Sequence, residues 1–109
     1  MEYEVKITLY ALHQIQEIVH YISAVLQSPG NATHWLDTIK SEIASLSSMS
    51  ARVPLTEEEP WRSQGAHKMV VKNFLVYFWI DPDNLCVWIT AVIYGRRNQR
   101  QQLEQMEMP

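Results

Sequence analysis

Several groups of residues in this chain have side chains and spacings that could do chemistry. Arg96 and Arg97, with Arg100 close behind, follow a strand-like run that ends at Tyr94 and could grip a phosphate or an acidic partner. His67, Lys68 and Tyr77 lie in neighbouring β-rich stretches. His67 could move a proton, because imidazole titrates near neutrality. Tyr77, Trp79, Trp88 and Tyr94 could form a platform on which bases stack, or a seat for a partner's helix or a second copy. His13, Glu17 and His20 recur on one helical face at spacings that can hold a metal. With no fourth ligand in view, a solvated stripe is the better reading, and no metal or cofactor is expected.

The remaining candidates are weaker. Cys86 sits mid-strand among aromatics without a histidine to activate it, which describes a buried, inert thiol. As the one cysteine it permits no disulfide within the chain and points to a reducing, cytoplasmic setting. Glu57, Glu58 and Glu59 read as a solvated acidic loop, and Trp61 beside Pro60 as the anchor of that loop. Residues 1–9 alternate rather than forming a basic start and an apolar run, so they do not read as a signal peptide. No stretch is long and apolar enough to span a membrane.

At 109 residues with 47% apolar composition, the chain is expected to be a single domain, 1–109, with one aromatic-rich core. Its net charge of −3 hides an asymmetry. Residues 1–60 carry three basic against eight acidic side chains, and residues 61–109 carry six against four. A surface for something acidic therefore belongs in the second half, although the excess is far below that of a dedicated nucleic-acid binder.

The elements that must position these groups follow from periodicity. Tyr3, Val5, Ile7 and Leu9 alternate with polar residues, as in a half-buried strand. Leu12, Ile15, Ile18, Val19, Ile22, Val25 and Leu26 then recur at helical spacing, predicting a helix over 10–27 that ends at Ser28-Pro29-Gly30. Asn31 is the expected N-cap of a second helix whose buried stripe is Ala32, Trp35, Leu36, Ile39, Ile43 and Leu46, the two helices forming a hairpin. Residues 47–66 read as a long loop, followed by strands over 68–71, 74–80 and 85–94 and a short helix over 98–106.

The Asp81–Asn84 turn is expected to pair Ile80 with Leu85, Phe78 with Val87, Val76 with Ile89 and Phe74 with Ala91, facing the helices. Leu75, Tyr77, Trp79, Cys86, Trp88, Thr90 and Tyr94 would then line an open reverse face. A two-residue turn at Lys72-Asn73 would set Lys68 opposite Tyr77 there. The fold class is α+β, in the order β-α-α-β-β-β-(α), with a helical hairpin on one face of an antiparallel-rich twisted sheet. An exposed aromatic face of this kind marks a partner site.

The chain resembles the RelE/ParE superfamily of toxins from bacterial type II toxin–antitoxin systems, known also as plasmid stabilisation proteins. The likeness lies in the strand and hairpin opening, in NATHWLDTIKSEIASLSSM followed by RVPL, and above all in GAHKMVVKNFLVYFWI and ITAVIYGRRNQ. The last run is similar to a family strand that typically ends in His-Gly-Arg-Arg-Asp. Here His67 stands where the family usually has Arg, Tyr94 where it often has His, and Asn98 where Asp is common. Phe74 falls near a position that is basic in the RelE-like ribonucleases.

The resemblance implies growth inhibition through a macromolecular target and neutralisation by a cognate antitoxin, as a homodimer or toxin–antitoxin hetero-oligomer. ParE-like relatives act on DNA gyrase through protein contacts; here His67, Trp79, Trp88, Tyr94, Arg96, Arg97 and Arg100 would contact the target or the antitoxin, whose segment would cover the open sheet face or wrap the helical hairpin. RelE-like relatives cut mRNA on the ribosome, for which Lys68, Tyr77, Arg96 and Arg97 would be the catalytic set. A relative surviving only as an interaction module is the third reading. The thin basic cluster tilts the choice toward the gyrase mode.

Overall fold

Helix and strand signals in the sequence become a sheet clothed on both sides, unequally. The computed structural model describes residues 2–95 and 99–106. Strand β1 (Glu4–Ile7) leads into helix α1 (Leu9–His20), whose first turn is capped by Thr8, its hydroxyl accepting the Ala11 N–H at 3.2 Å. The helical run widens to π geometry over Tyr21–Val25 and stops at Gln27, held at φ 52°.

Helix α2 (Pro29–Met49) starts earlier than Asn31. Ser28 takes the N-cap position and Pro29 the first helical one, where a missing N–H loses nothing and the fixed φ is already helical. Asn31 instead lies in the first turn and donates from Nδ2 to the Ser28 hydroxyl at 2.7 Å. The expected stripe is otherwise as read: Ala32, Trp35, Ile39, Ile43 and Leu46 are buried and Leu36 partly so.

A 3₁₀ turn (Ser50–Arg52) and an irregular segment precede β2 (His67–Val71), β3 (Phe74–Asp81), β4 (Cys86–Tyr94) and a short helix α3 (Gln99–Glu104). Spatial strand order is β1-β4-β3-β2, with β1 parallel to β4 and the other pairs antiparallel. No helix among the described residues is long and apolar enough to cross a membrane.

Two register features depart from the sequence reading. The turn after β3 is longer than expected, so Ile80 pairs with Val87 rather than Leu85, and Leu85 sits in the loop at φ 53°. This two-residue offset leaves each side chain on its expected face. The second departure does not. Between Tyr77 and Phe78 the partner jumps from Ala91 to Ile89, so Thr90 is an extra residue in β4. Beyond that bulge every β4 side chain changes face. Val76 meets Val92 and Phe74 meets Tyr94, replacing the expected Ile89 and Ala91. Ala91 and Ile93 pass to the reverse side, while the Tyr94 ring lies 5.3 Å from Phe74 on the helical side.

The helical hairpin buries the main core, in which Ile39, Leu46, Val76, Phe78, Val87 and Ile89 are essentially inaccessible. The reverse face, expected open, is partly closed. Leu75, Tyr77, Ala91 and Ile93 are covered by Trp61 and Ala66 from the irregular segment and by Leu103 and Met106 from the closing segment. Trp61 therefore anchors its loop as read, and Cys86 is buried. The sequence reading missed this second, smaller core because it left Leu103 and Met106 without a surface to cover.

Candidate functional site

The hairpin between β2 and β3 does set Lys68 opposite Tyr77, through the two-residue turn at Lys72-Asn73. Lys72 itself adopts the left-handed geometry that such a turn demands. The pair is brought together but committed inward. Tyr77 is 0% exposed, and its buried hydroxyl has no hydrogen-bond partner among the described residues. Burial first, and the charge of Glu58 second, push its phenol pKa up. The Lys68 ammonium lies 3.2 Å from the Glu58 carboxylate, which also accepts from Thr56. Burial alone would raise the Glu58 pKa. Hydrogen bonds from Thr56, its own backbone and Lys68, together with the Lys68 charge, outweigh burial and hold it below the usual value. A sealed phenol and a paired ammonium cannot reach a phosphate in this arrangement.

His67 faces the other way, its ring stacked on Phe78 at 5.0 Å and 9°, with Nδ1 2.8 Å from the Val53 carbonyl oxygen. It is a brace between β2 and the irregular segment. Trp79 and Trp88 pair across β3 and β4 on the part of the reverse face that stays partly open, and Lys6 lies 5.4 Å over the Trp88 ring. Trp79 packs on Gly65, where φ is +89° and a β-carbon would come within 3.3 Å of the indole.

Arg100 holds the closing helix down: its guanidinium lies 5.3 Å over Trp61 and donates to the Glu59 carbonyl at 3.3 Å. Arg96, Arg97 and Asn98 lie outside the described residues. The glycine that launches them is held tightly, since Gly95 donates its N–H to the Asn73 carbonyl at 2.8 Å and a β-carbon there would meet that oxygen at 3.1 Å. The four candidate aromatics thus form no single platform. Tyr77 is core, Tyr94 has crossed to the helices, and only Trp79 and Trp88 remain together. His13, Glu17 and His20 are exposed, and no metal-binding group of three or more His, Cys, Asp or Glu occurs among the described residues.

Two features escaped the sequence reading. Where β1 ends, the amide of Gln14 on α1 takes over the edge of β4: its Oε1 accepts the Val92 N–H at 2.8 Å, while its Nε2 donates to Gln102 on α3 at 3.2 Å. Tyr10 adds a hydrogen bond to the Gln102 carbonyl at 2.9 Å. A lone glutamine in an apolar stripe was the only signal of this clasp. The second is a groove of about 490 Å³ between β1 and the helical hairpin, walled by Val5, Ile7, Leu12, Val19, Leu36 and Ala44. Ile7 and Leu12 are 40% and 39% exposed, and Leu9 nearby is 67% exposed, so this apolar surface is wider than the core needs.

Residues 5–99 match the family described as the ParE toxin of the type II toxin–antitoxin system parDE. The chain belongs to that family. The ParE-type fold is shared with solved structures at low sequence identity. The chromosomal ParDE toxin–antitoxin system from P. aeruginosa aligns at a TM-score of 0.68 with 18% identity, over 85% of this chain and 96% of that one. The toxin–antitoxin complex RelBE2 from Mycobacterium tuberculosis aligns at 0.59 with 17% identity, over 86% and 99%. An E. coli toxin RelE mutant with two arginines replaced by alanine, in the free state, aligns at 0.61 with 10% identity, over 96% and 94%. No curated protein matches in sequence. This ParE-family chain is a toxin of the RelE/ParE superfamily from a type II toxin–antitoxin system, and its α+β architecture agrees with the sequence reading.

Proposed function

We propose that this toxin inhibits a macromolecular target, DNA gyrase first, by protein–protein contact through Arg96, Arg97 and the segment that follows them, without cleaving RNA. The supporting observation is the inward commitment of Lys68 and Tyr77: two of the four groups a ribonuclease of this type would need are occupied in holding the fold. A binding toxin needs no such set. In this reading a cognate antitoxin neutralises it by laying an apolar helix along the groove between β1 and the hairpin. Spaced apolar anchors suit that mode of recognition, and the groove offers a nearly continuous apolar wall.

The test is expression without antitoxin, followed by mapping of cellular mRNA ends and of gyrase-linked DNA breaks. DNA breaks with intact mRNA are the expected result. Codon-periodic mRNA cuts would overturn the reading in favour of the ribonuclease, and normal growth would overturn it in favour of an inactive interaction module. Arg96→Ala combined with Arg97→Ala should abolish toxicity while leaving antitoxin binding; retained toxicity would remove that pair from the target surface.

A further inference from the structure

A mixed polar and aromatic cavity of about 220 Å³ opens where α1 runs into its π turn, its wall including Glu17, His20, Tyr21, Tyr94, Gln14 and Gln102. We propose that it receives one arginine side chain of a partner polypeptide. Several independent features point to a cation. Glu17 is exposed and has no ion-pair partner among the described residues, and His20 is the one basic side chain among the described residues of the wall, which holds no lysine or arginine. The helical run that supplies most of the wall ends at Val25, itself part of the lining, so its partially negative carbonyl end lies at the rim. Tyr21 and Tyr94 both line the space, and aromatic faces attract a cation within about 6 Å.

The choice of arginine over a compact ammonium follows from shape. A guanidinium is flat, weakly hydrated and able both to lie along a tyrosine ring and to offer a fork of donors to the Glu17 carboxylate. At about 220 Å³ the cavity has room for one long side chain, which suits an anchor rather than a metabolite. A second cavity of about 280 Å³ shares Tyr21 and Tyr94 and adds Ile22, Leu26 and Phe74. That apolar neighbour gives a place to the residue beside the arginine, which distinguishes a peptide-borne cation from a free one. The proposal is independent of whether gyrase is the target.

The experiment is an NMR titration of the labelled full-length chain with argininamide, its neutral isostere citrullinamide, putrescine, and N-acetyl-Arg-Leu-amide. Argininamide should bind saturably in the millimolar range, with shifts centred on Glu17, Tyr21 and Tyr94, and the Arg-Leu compound should bind several-fold tighter. Citrullinamide should be weaker by about tenfold, and Glu17→Gln should weaken argininamide by about tenfold, as expected for loss of one charge-assisted contact. Because Glu17 is exposed, that variant should keep the wild-type circular dichroism spectrum. Equal binding of citrullinamide, tighter binding of putrescine, or an unchanged affinity in a folded Glu17→Gln variant would each overturn the assignment.

Discussion

The two faces of the sheet are closed by different kinds of structure. On one side the twenty-one-residue helix α2, with α1, drives an aliphatic stripe into Val76, Phe78, Val87 and Ile89. On the other, a six-residue helix and an irregular segment cover Leu75, Tyr77, Ala91 and Ile93, held by side-chain pins: Arg100 on Trp61 and the Glu59 carbonyl, Gln14 and Tyr10 on Gln102, Glu58 on Lys68. The first cover is part of the global folding unit. The second has few apolar anchors and many polar ties, the composition of a segment that opens locally before the rest unfolds.

That contrast can be broken most severely from the helical side. Ile39→Ala should lower global stability by about 3 kcal/mol, the usual range for an emptied aliphatic site in a well-packed core, with all amides losing protection together in denaturant melts. Leu103→Ala should lower stability by about 2 kcal/mol or less. Its signature differs: hydrogen exchange should accelerate first over residues 75–77 and 91–93, with the helical hairpin still protected. Uniform loss of protection in that variant would show the two covers to be one cooperative unit. The antitoxin offers a third probe of the same asymmetry. Leu12→Asp, in the groove on the helical side, should weaken antitoxin binding by about tenfold or more, whereas Trp88→Ala on the reverse side should leave it nearly unchanged.

The smallest effect concerns the acid that ties down the irregular segment. Because Glu58 has a depressed pKa in the folded state, it contributes stability above its ordinary value of 4.5, and that contribution is lost as the pH falls below it. The pair is partly exposed, so the contribution is at most about 1 kcal/mol. Comparing wild type with Glu58→Gln in melts at pH 7 and pH 3 checks this, and the difference between the two proteins should shrink at the lower pH.

Most of the fold was legible because it rests on local patterns. The helical stripe from Ala32 to Leu46, the two-residue turn at Lys72-Asn73 and the opposition of Lys68 and Tyr77 all follow from spacing and turn chemistry. What was not legible depended on one residue. Thr90 carries no mark of a bulge in a run of apolar neighbours, yet its insertion moved Ala91 and Ile93 to the reverse and Tyr94 to the helices. The expected aromatic face lost Tyr94 with it, while Tyr77, Trp79 and Trp88 stayed on the reverse side. The buried state of Tyr77 was hidden for a different reason, since the residues that cover it come from a loop, Trp61 to Ala66, and from a short closing segment, Leu103 to Met106, whose docking place no spacing reveals. Gln14 drew no attention in the sequence because its partners, Val92 and Gln102, are remote from it along the chain.

The parallel pairing of β1 with β4 has a kinetic consequence. Thr8 and Thr90, hydrogen-bonded at the end of that ladder, are 82 positions apart, so a long loop must close before the pairing returns any enthalpy. A growing polypeptide can form its hairpin helices early, but their apolar stripe stays uncovered until the last strand is available. During that interval the nascent toxin is a sticky, incompletely assembled species, and anything that shields the stripe would act as its chaperone.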